Sequence, residues 1–456
     1  VGSEMCIRDR LDPLKKMAPR FLAVVARPEE IDRTVVNDLH RLTRRLDDDP
    51  YGDCIWGIVT GYAPEDAMRI ASAESPLVMT RAMGTTNIDS GRFSESMCIL
   101  DWQPFQYAEQ RGYKEKVTPS FYTRGLREQE KGDQDSLGVT PKLTQYWEKN
   151  APQFFATASH ATQFNLEMPF GKGIIVSGNN QFHVLNKKQF QEFTTFLRGV
   201  LFNGKEDDLM AFIERSKAPV IKPGPGPAVW LAAGNCLVGD VMKTKNSMAV
   251  TALSRYGFNQ LVGYTVPSWY GKGGWGTLGM LFSNHDNSSL AEAWYLNNQF
   301  ILDETMTRFP KLMDVHFNSP DISGIKDDPE FSKGMAAAGY GMGKDQMGLI
   351  HDRDTVAFYG DPAWVARLDE SHAKSPWHIS WNDPEDAAKG FTVTANKDAK
   401  GRLGVWFPNR ISTKTATVTV GDAATPVDKM GLLTNDFLLL RELELKKGEK
   451  AVVEMK

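Results

Sequence analysis

The chain of 456 residues has only four cysteines and no apolar run long enough to span a bilayer. No CxxC pair occurs, which argues against a disulfide framework and against a zinc site of that type. Positive charge is not in excess: the formal net charge is −4 at pH 7, so neither nucleic acid nor an anionic membrane is an expected partner. What remains is an ordinary globular composition, with 41% hydrophobic and 24% charged residues, in a chain long enough for two or three domains.

Residues 1–10 (VGSEMCIRDR) resemble a translated sequencing adapter of the kind found at the ends of metagenomic reading frames. We treat this stretch, which includes Cys6, as an artefact that takes no part in the fold. We therefore expect the native start of the protein to be missing, together with any signal peptide or pro-segment.

Two short apolar runs each lead to a reactive side chain. Residues 154–159 (FFATAS) precede His160, and residues 228–235 (AVWLAAGN) precede Cys236. Apolar runs bounded by turn residues are typical of buried strands, and ligands bind beyond the carboxyl ends of the strands in a parallel sheet. If the two strands are neighbours, an imidazole and a thiol meet at one cleft, which is the minimum that acyl transfer by a cysteine nucleophile requires.

The other cysteines have different surroundings. Cys54 and Cys98 lie in the apolar segments YGDCIWGIV and SMCILDW, where a cysteine is usually a small buried hydrophobe. Cys236 follows glycine and asparagine and is followed by Gly239-Asp240, so we expect it at a turn where a thiol is accessible.

The order of the predicted elements favours an α/β fold. Strand-like and helix-like segments alternate from residue 21 to about residue 101, which predicts βαβ units and a mostly parallel sheet flanked by helices. The 75 residues between His160 and Cys236 include GKGIIVSGNNQFHVL, which predicts an extra hairpin or flap. From about residue 390 the pattern changes to short alternating strands, which predicts an all-β sandwich module.

These patterns predict four parts after the artefact. They are an N-terminal α/β subdomain (11–90), a second α/β subdomain (91–373), a linker (374–388) and a C-terminal β-sandwich module (389–456).

Four local patterns are informative through their order along the chain. They are the apolar strand before His160, the apolar strand before Cys236 with its Gly239-Asp240, the stretch from SMA at 247–249 to GYTVPSW at 263–269, and YGDPA at 359–363. Together they resemble the gingipain-type cysteine peptidases, which share the caspase-like fold with caspases, legumain and clostripain. The resemblance runs in patches from residue 21 to the C-terminus. It implies a caspase-like α/β domain followed by an immunoglobulin-like module, a protein or peptide substrate, no required cofactor and a secreted or periplasmic location.

The resemblance also implies roles for individual residues. Cys236 is the expected nucleophile and His160 the expected general acid/base, with the backbone N–H groups of Cys236 and Ala161 as the oxyanion donors. The family usually has glycine where this chain has Ala161. Glu167 either orients His160 or faces solvent.

A glycine-rich aromatic loop at residues 267–276 is predicted to form one wall of a substrate pocket, with Ser268 and Trp269 lining it. The alternative is a surface loop anchored by two tryptophans. Asp101, at the end of a predicted strand, is the candidate carboxylate for a basic P1 residue, and its alternative is a helix N-cap or a surface ion pair. The scattered histidines predict no metal site. Structural calcium in acidic turns such as residues 326–328 stays open beside a solvated charge run.

Three functional hypotheses follow. The first is a cysteine endopeptidase with a Cys-His dyad. The second is a catalytically inactive caspase-fold protein that acts as a secreted or surface binding module. The third is a hydrolase or transferase that acts on another acyl substrate through the same dyad.

Overall fold

The computed structural model describes residues 10–99, 121–124, 139–168, 173–186, 188–189, 192–193, 206–318 and 328–456. The helices of these residues are α1 Leu11–Met17, α2 Arg33–Thr43, α3 Pro64–Ala71, α4 Val139–Asn150, α5 Glu206–Ser216, α6 Met248–Arg255, α7 Lys272–Ser283, α8 Leu290–Arg308, α9 Pro329–Ala337, α10 Lys344–Asp354 and α11 Val427–Met430. Within these ranges, no helix combines the length and the apolar character that crossing a membrane requires.

The strands of the same residues belong to one large sheet and several smaller ones. They are β1 Phe21–Val25, β2 Ile55–Val59, β3 Leu77–Met79, β4 Arg81–Gly84, β5 Glu95–Ile99, β6 Phe121–Arg124, β7 Phe154–Ala156, β8 Ala161–Thr162, β9 Asn165–Glu167, β10 Ile174–Gly178, β11 Gln181–Leu185, β12 Ala228–Ala232, β13 Phe258–Tyr264, β14 Val356–Gly360, β15 Ala366–Leu368, β16 Trp377–Trp381, β17 Phe391–Ala395, β18 Ala399–Trp406, β19 Ala416–Val420, β20 Ala423–Pro426, β21 Gly431–Leu433, β22 Phe437–Leu445 and β23 Lys450–Met455.

The central sheet has the strand order β1-β2-β14-β13-β12-β7-β4-β5-β6. The five neighbours from β13 to β5 run parallel to one another. Strands β1, β2 and β14 are also mutually parallel, but β14 is antiparallel to β13, so the two blocks run in opposite directions. The predicted α/β fold with a mostly parallel sheet is confirmed at this level. Strands from both sides of the predicted boundary at residue 90 belong to this one sheet.

Strands β7 and β12, which precede the histidine and the cysteine, are adjacent and parallel. Phe155 lies beside Trp230 in the register, and every residue of both strands is buried. Because parallel neighbours end on the same side, the segments that follow β7 and β12 leave the sheet at one edge. The prediction that these two strands are neighbours is confirmed.

The segment between these two strands carries a small sheet of its own, in the order β11-β10-β9-β8. The turn between β10 and β11 has left-handed backbone at both Asn179 (φ 52°) and Asn180 (φ 57°), which is the geometry of a two-residue hairpin turn. The N–H of Met248, at the start of α6, donates to the carbonyl of Gln163 at 2.7 Å and ties this sheet to the body. The predicted hairpin is confirmed.

Two antiparallel sheets, β16-β17-β23-β19-β20 and β18-β22-β21, share an apolar core at the C-terminus. They bear out the all-β prediction for this part, whereas its immunoglobulin-like character stays a prediction. Strand β16 lies inside residues 374–388, the predicted linker, and pairs with β17 along its whole length. Trp377 at its start is 1% exposed, so burial of this indole draws the stretch into the sheet.

A buried ion-pair cluster and aromatic packing join the C-terminal sheets to the α/β part. Asp436, which is 1% exposed, pairs with Arg20 at 2.6 Å and with Arg410 at 2.9 Å. The guanidinium of Arg20 lies 3.8 Å from the ring centroid of Trp406, and that ring packs edge-on against Tyr295. The two parts therefore share packed surface as well as a chain connection.

Candidate active site

Cys236 lies in the turn that follows β12, and its side chain is only partly buried. The end of β13 holds this turn: the N–H of Leu237 donates to the carbonyl of Val266 at 3.2 Å, and that of Gly239 donates to the carbonyl of Tyr264 at 2.9 Å. Leu237 has a φ of 59°, a left-handed conformation that is uncommon for a bulky side chain and that clusters at functional sites. These contacts fix the direction in which Cys236 leaves the strand.

The other two described cysteines are buried, as the sequence predicts. Cys54 is 1% exposed and Cys98 is 2% exposed. Burial raises the pKa of Cys98 to about 12 and raises the pKa of Cys54 above its usual range. Both thiols are therefore poor nucleophiles, because the thiolate is the reactive form.

His160 follows β7 after a three-residue turn, and its side chain is exposed. Its carbonyl accepts a hydrogen bond from the N–H of Glu167 at 2.9 Å, which extends the pairing of β8 with β9 by one position. The side chains of two directly opposed residues lie on the same face of a sheet, with Cβ atoms about 5 Å apart. Glu167 is therefore a neighbour of His160 across the strands.

The sulfur of Cys236 contacts Ser268. The N–H of Ser268 donates to Sγ at 3.4 Å, and the two side-chain atoms Oγ and Sγ lie 3.7 Å apart. Among the described residues, the imidazole of His160 has no hydrogen-bond partner, so the thiol and the imidazole are not directly bonded here.

Asn235 connects the two turns. Its Nδ2 donates to the carbonyl of Ser159 at 3.1 Å and to the Ser159 hydroxyl at 3.0 Å, while its Oδ1 accepts from the hydroxyl of Thr157. Asn235 directly precedes Cys236, and Ser159 directly precedes the histidine. Sequence pattern alone does not single out this asparagine, and its only signal is its place before the cysteine.

The two backbone N–H groups expected to bind an oxyanion are not used in the ladder. The bond from Glu167 to His160 makes Ala161 and Leu166 a non-hydrogen-bonded pair, so the N–H of Ala161 points away from β9. The N–H of Cys236 donates to no other described residue.

The predicted pocket wall is partly helical, which corrects the expectation of a loop over residues 267–276. Helix α7 begins at Lys272, within this stretch. Trp269 is 40% exposed and Trp275 is 41% exposed. The indole of Trp275 lies against Gly234, where an added Cβ would stand 3.0 Å from Cζ2 of the ring. The stretch 267–276 therefore starts as a turn and continues as the first turn of a helix.

Buried polar groups anchor the stretch 267–276 to the core. Asp352 accepts hydrogen bonds from the N–H of Gly273 at 2.8 Å and from the hydroxyl of Tyr264 at 3.1 Å. The Nδ1–H of His351 donates to the same carboxylate at 2.8 Å, and the ring of His351 packs edge-on against Trp269 with centroids 5.4 Å apart. The position of this stretch is thus fixed by the core.

The sequence singles out two acidic residues, Asp101 and Asp328, and the structure describes only the second. Asp101 lies outside the described residues, so its place in the pocket stays a prediction. Asp328, at the end of the acidic turn 326–328, accepts from the N–H groups of Glu330 and Phe331 and caps the start of α9.

In the described part of the chain, one set of three carboxylates could together hold a metal ion. These are Asp47, Asp49 and Asp53, whose oxygens lie within 4.8 Å of one another. Burial raises the pKa of Asp49 to about 6, and burial together with the neighbouring carboxylates raises that of Asp53 to about 9. Asp53 Oδ2 also accepts from the N–H of Leu46 at 2.9 Å. The set precedes β2 and has no sequence prediction attached to it.

No family model and no curated protein matches the chain. Among solved structures it is similar to the complex of the pro- and mature domains of RgpB from Porphyromonas gingivalis, with 12% identity and a TM-score of 0.33 over 99% of this chain and 82% of that chain. A TM-score this low supports a distant relationship at most.

Proposed function

We propose that the protein is a cysteine peptidase in which Cys236 is the nucleophile and His160 is the general acid/base. The observation that carries the proposal is the parallel pairing of β7 with β12. It brings the turns that bear the two side chains to one edge of the sheet, where α/β proteins bind their ligands. The accessibility of Cys236, compared with the two buried cysteines, supports the same assignment.

In the proposed reaction, the thiolate of Cys236 attacks the carbonyl carbon of the scissile peptide bond, and a C–S bond and an oxyanion form. The N–H groups of Cys236 and Ala161 donate to this oxyanion. Its collapse expels the amine, which takes a proton from His160. A water molecule then gives a proton to His160 and adds its hydroxide to the thioester carbon, and cleavage of the C–S bond releases the carboxylic acid and restores the Cys236 thiolate.

The proposed dyad does not require a direct hydrogen bond between the Cys236 thiol and the His160 imidazole before the reaction begins. Catalytic hydrogen bonds are often long or unformed before substrate binds and tighten in the complex. The His160 ring is exposed and therefore has room to change rotamer. Glu167, its neighbour across β8 and β9, is the carboxylate we propose to orient it.

We further propose that Ser268 and Trp269 line the pocket for the P1 side chain, with Asp101 as the partner of a basic P1 residue. The contact of Ser268 with the sulfur of Cys236 supports the first assignment. The caspase-like fold, the immunoglobulin-like C-terminal module and a secreted or periplasmic location are proposals that rest on the sequence resemblance.

The test is a fluorogenic peptide library varied at P1, applied under reducing conditions to the wild type and to Cys236→Ala and His160→Ala. Cys54→Ala is the matched control, because it removes a thiol that is buried elsewhere. We expect turnover by the wild type and the control, and a loss of at least about 100-fold in both site variants. Turnover that survives in Cys236→Ala refutes the proposal. If the folded wild type turns over no peptide, the result favours the non-catalytic binding module.

A further inference from the structure

The orientation of the Asn235 amide is determined by its neighbours. An indole N–H can only donate, and that of Trp230 donates to Thr157 Oγ1 at 2.8 Å. The Thr157 hydroxyl keeps its own hydrogen, which it donates to Oδ1 of Asn235. The Ser159 carbonyl can only accept, and this requires Nδ2 on its side of the amide. One arrangement of the amide satisfies every partner, and the side chain is fully buried at 0% exposure.

The hydrogen bonds from the Asn235 amide to Ser159 form a bridge between the turns after β7 and β12. This bridge begins where the main-chain pairing of β7 with β12 ends. The last backbone bond of this ladder runs from the N–H of Gly234 to the carbonyl of Thr157 at 3.2 Å. Beyond it, the chain after Cys236 bonds to the end of β13, and the chain after the histidine enters β8. Among the described hydrogen bonds, those between residues 158–160 and 235–237 are the bonds of the Asn235 amide.

We propose that Asn235 is a positioning residue that sets the separation of the Cys236 thiol from the His160 imidazole. Each of these residues directly follows one end of the bridge, so the bridge fixes both starting points. The catalytic consequence rests on the proposed function, whereas the separation is a property of the fold. A misplacement of about 1 Å at a catalytic group can lower a rate by about 100-fold.

The first experiment compares Asn235→Ala with Asn284→Ala in steady-state kinetics. Asn284 is a matched control: it is 1% exposed and also bridges distant segments, since it donates to the carbonyl of Gly404 at 2.9 Å and accepts from the N–H of Gly404 at 3.0 Å. We expect kcat to fall by about 100-fold with KM nearly unchanged in Asn235→Ala. The control should keep kcat within about threefold, because it perturbs stability without touching the site.

The second experiment measures the separation without using activity. His160→Cys creates a pair with Cys236 that dibromobimane can join, because each thiol displaces one bromide. The rate of cross-linking is measured in three full-length proteins: the His160→Cys variant, the same variant with Asn235→Ala, and the same variant with Asn284→Ala. We expect cross-linking to slow by at least about fivefold with Asn235→Ala, because a fivefold change corresponds to the net free energy of one typical hydrogen bond. The Asn284→Ala control should not slow it. Cys54 and Cys98 are buried and do not compete, and Cys6 is replaced by serine in every variant.

The cross-link decides the inference. A rate that Asn235→Ala leaves unchanged overturns it, and so does a parent pair that fails to cross-link. If the wild type shows no turnover but the cross-link still depends on Asn235, the positioning role stands and the proposed function falls. If Asn235→Ala does not fold, Ser159→Ala takes its place, because it removes one acceptor and keeps the carbonyl, and a slower cross-link is again expected.

Discussion

Replacement of His40 by glutamine is expected to make the free energy of unfolding less sensitive to pH between 7 and 5. His40 is 3% exposed, and burial lowers its pKa from 6.5 to about 4. Its Nε2 is hydrogen-bonded to the carbonyl of Val356 at 3.0 Å, and its ring packs edge-on against Trp56. The ring is therefore neutral in the folded protein, and a glutamine amide can keep the donor to Val356.

The direction of this pH dependence follows from the number of protons that His40 binds in the unfolded and in the folded state. In the unfolded chain this histidine binds a proton near pH 6.5, whereas in the folded protein it does so only near pH 4. Between these values the unfolded state binds more protons. The stability that the neutral His40 contributes is present above pH 6.5 and is lost as the pH falls toward 4. From pH 7 to pH 5 the loss from this one group is about 2 kcal/mol.

Urea unfolding of the wild type and of His40→Gln at both pH values, followed by tryptophan fluorescence, measures this loss. The wild type should lose about 2 kcal/mol more than the variant between pH 7 and pH 5. Every other titrating group is shared, so the difference between the two proteins isolates His40. Equal losses in the two proteins would refute the conclusion that the folded state holds this ring in its neutral form.

Two further changes test the proposed site. Gly239→Ala places a methyl carbon 2.2 Å from the carbonyl oxygen of Gly263, so the turn that carries Cys236 must move. We expect a stability loss of about 1–3 kcal/mol in thermal unfolding and slower turnover, and a variant as active and stable as the wild type would contradict this packing. Trp275→Ala removes an exposed indole that lies against Gly234, and steady-state kinetics should show a higher KM with kcat nearly unchanged. An unchanged KM would exclude this indole from substrate binding.

The pairing of β7 with β12 was predictable because local sequence determines it. Both strands are fully apolar and lead into turn residues, and strands buried on both faces of a parallel sheet have that composition. The hairpin of β10 and β11 was predictable for a similar reason, since asparagines at positions 179 and 180 favour its left-handed turn. Where apolar pattern and turn chemistry agree, the sequence is enough to predict the element.

Helix α7 was not predictable from its residues. It begins with KGGWG, and glycine disfavours a helix by about 1 kcal/mol per residue. Long-range contacts override this propensity, because Asp352 accepts the N–H of Gly273 at 2.8 Å. The approach to β12 also requires glycine: a Cβ on Gly274 would stand 2.1 Å from the carbonyl oxygen of Ala233. A loop-like composition here reflects close packing.

The hydrogen-bond bridge of Asn235 could not be predicted from the sequence, for a different reason. Asparagine before a cysteine is typical of a turn, and nothing in the local sequence says which group it bonds. Its partners Ser159 and Thr157 lie more than seventy residues away in sequence. The reversed direction of β14 relative to β13 is equally non-local. The sequence thus predicted the two turns but not the bond between them.

The join between the α/β part and the C-terminal sheets determines how this protein responds to proteolysis. A single cut ahead of β16 would sever the covalent link but leave Asp436 paired with Arg20 and Arg410. Trp406 and Phe437 lie in the C-terminal strands β18 and β22, and they would still be packed in the main core of the α/β part. A nicked molecule should therefore migrate as two fragments in denaturant and as one particle in buffer, and it would part only when its core opens.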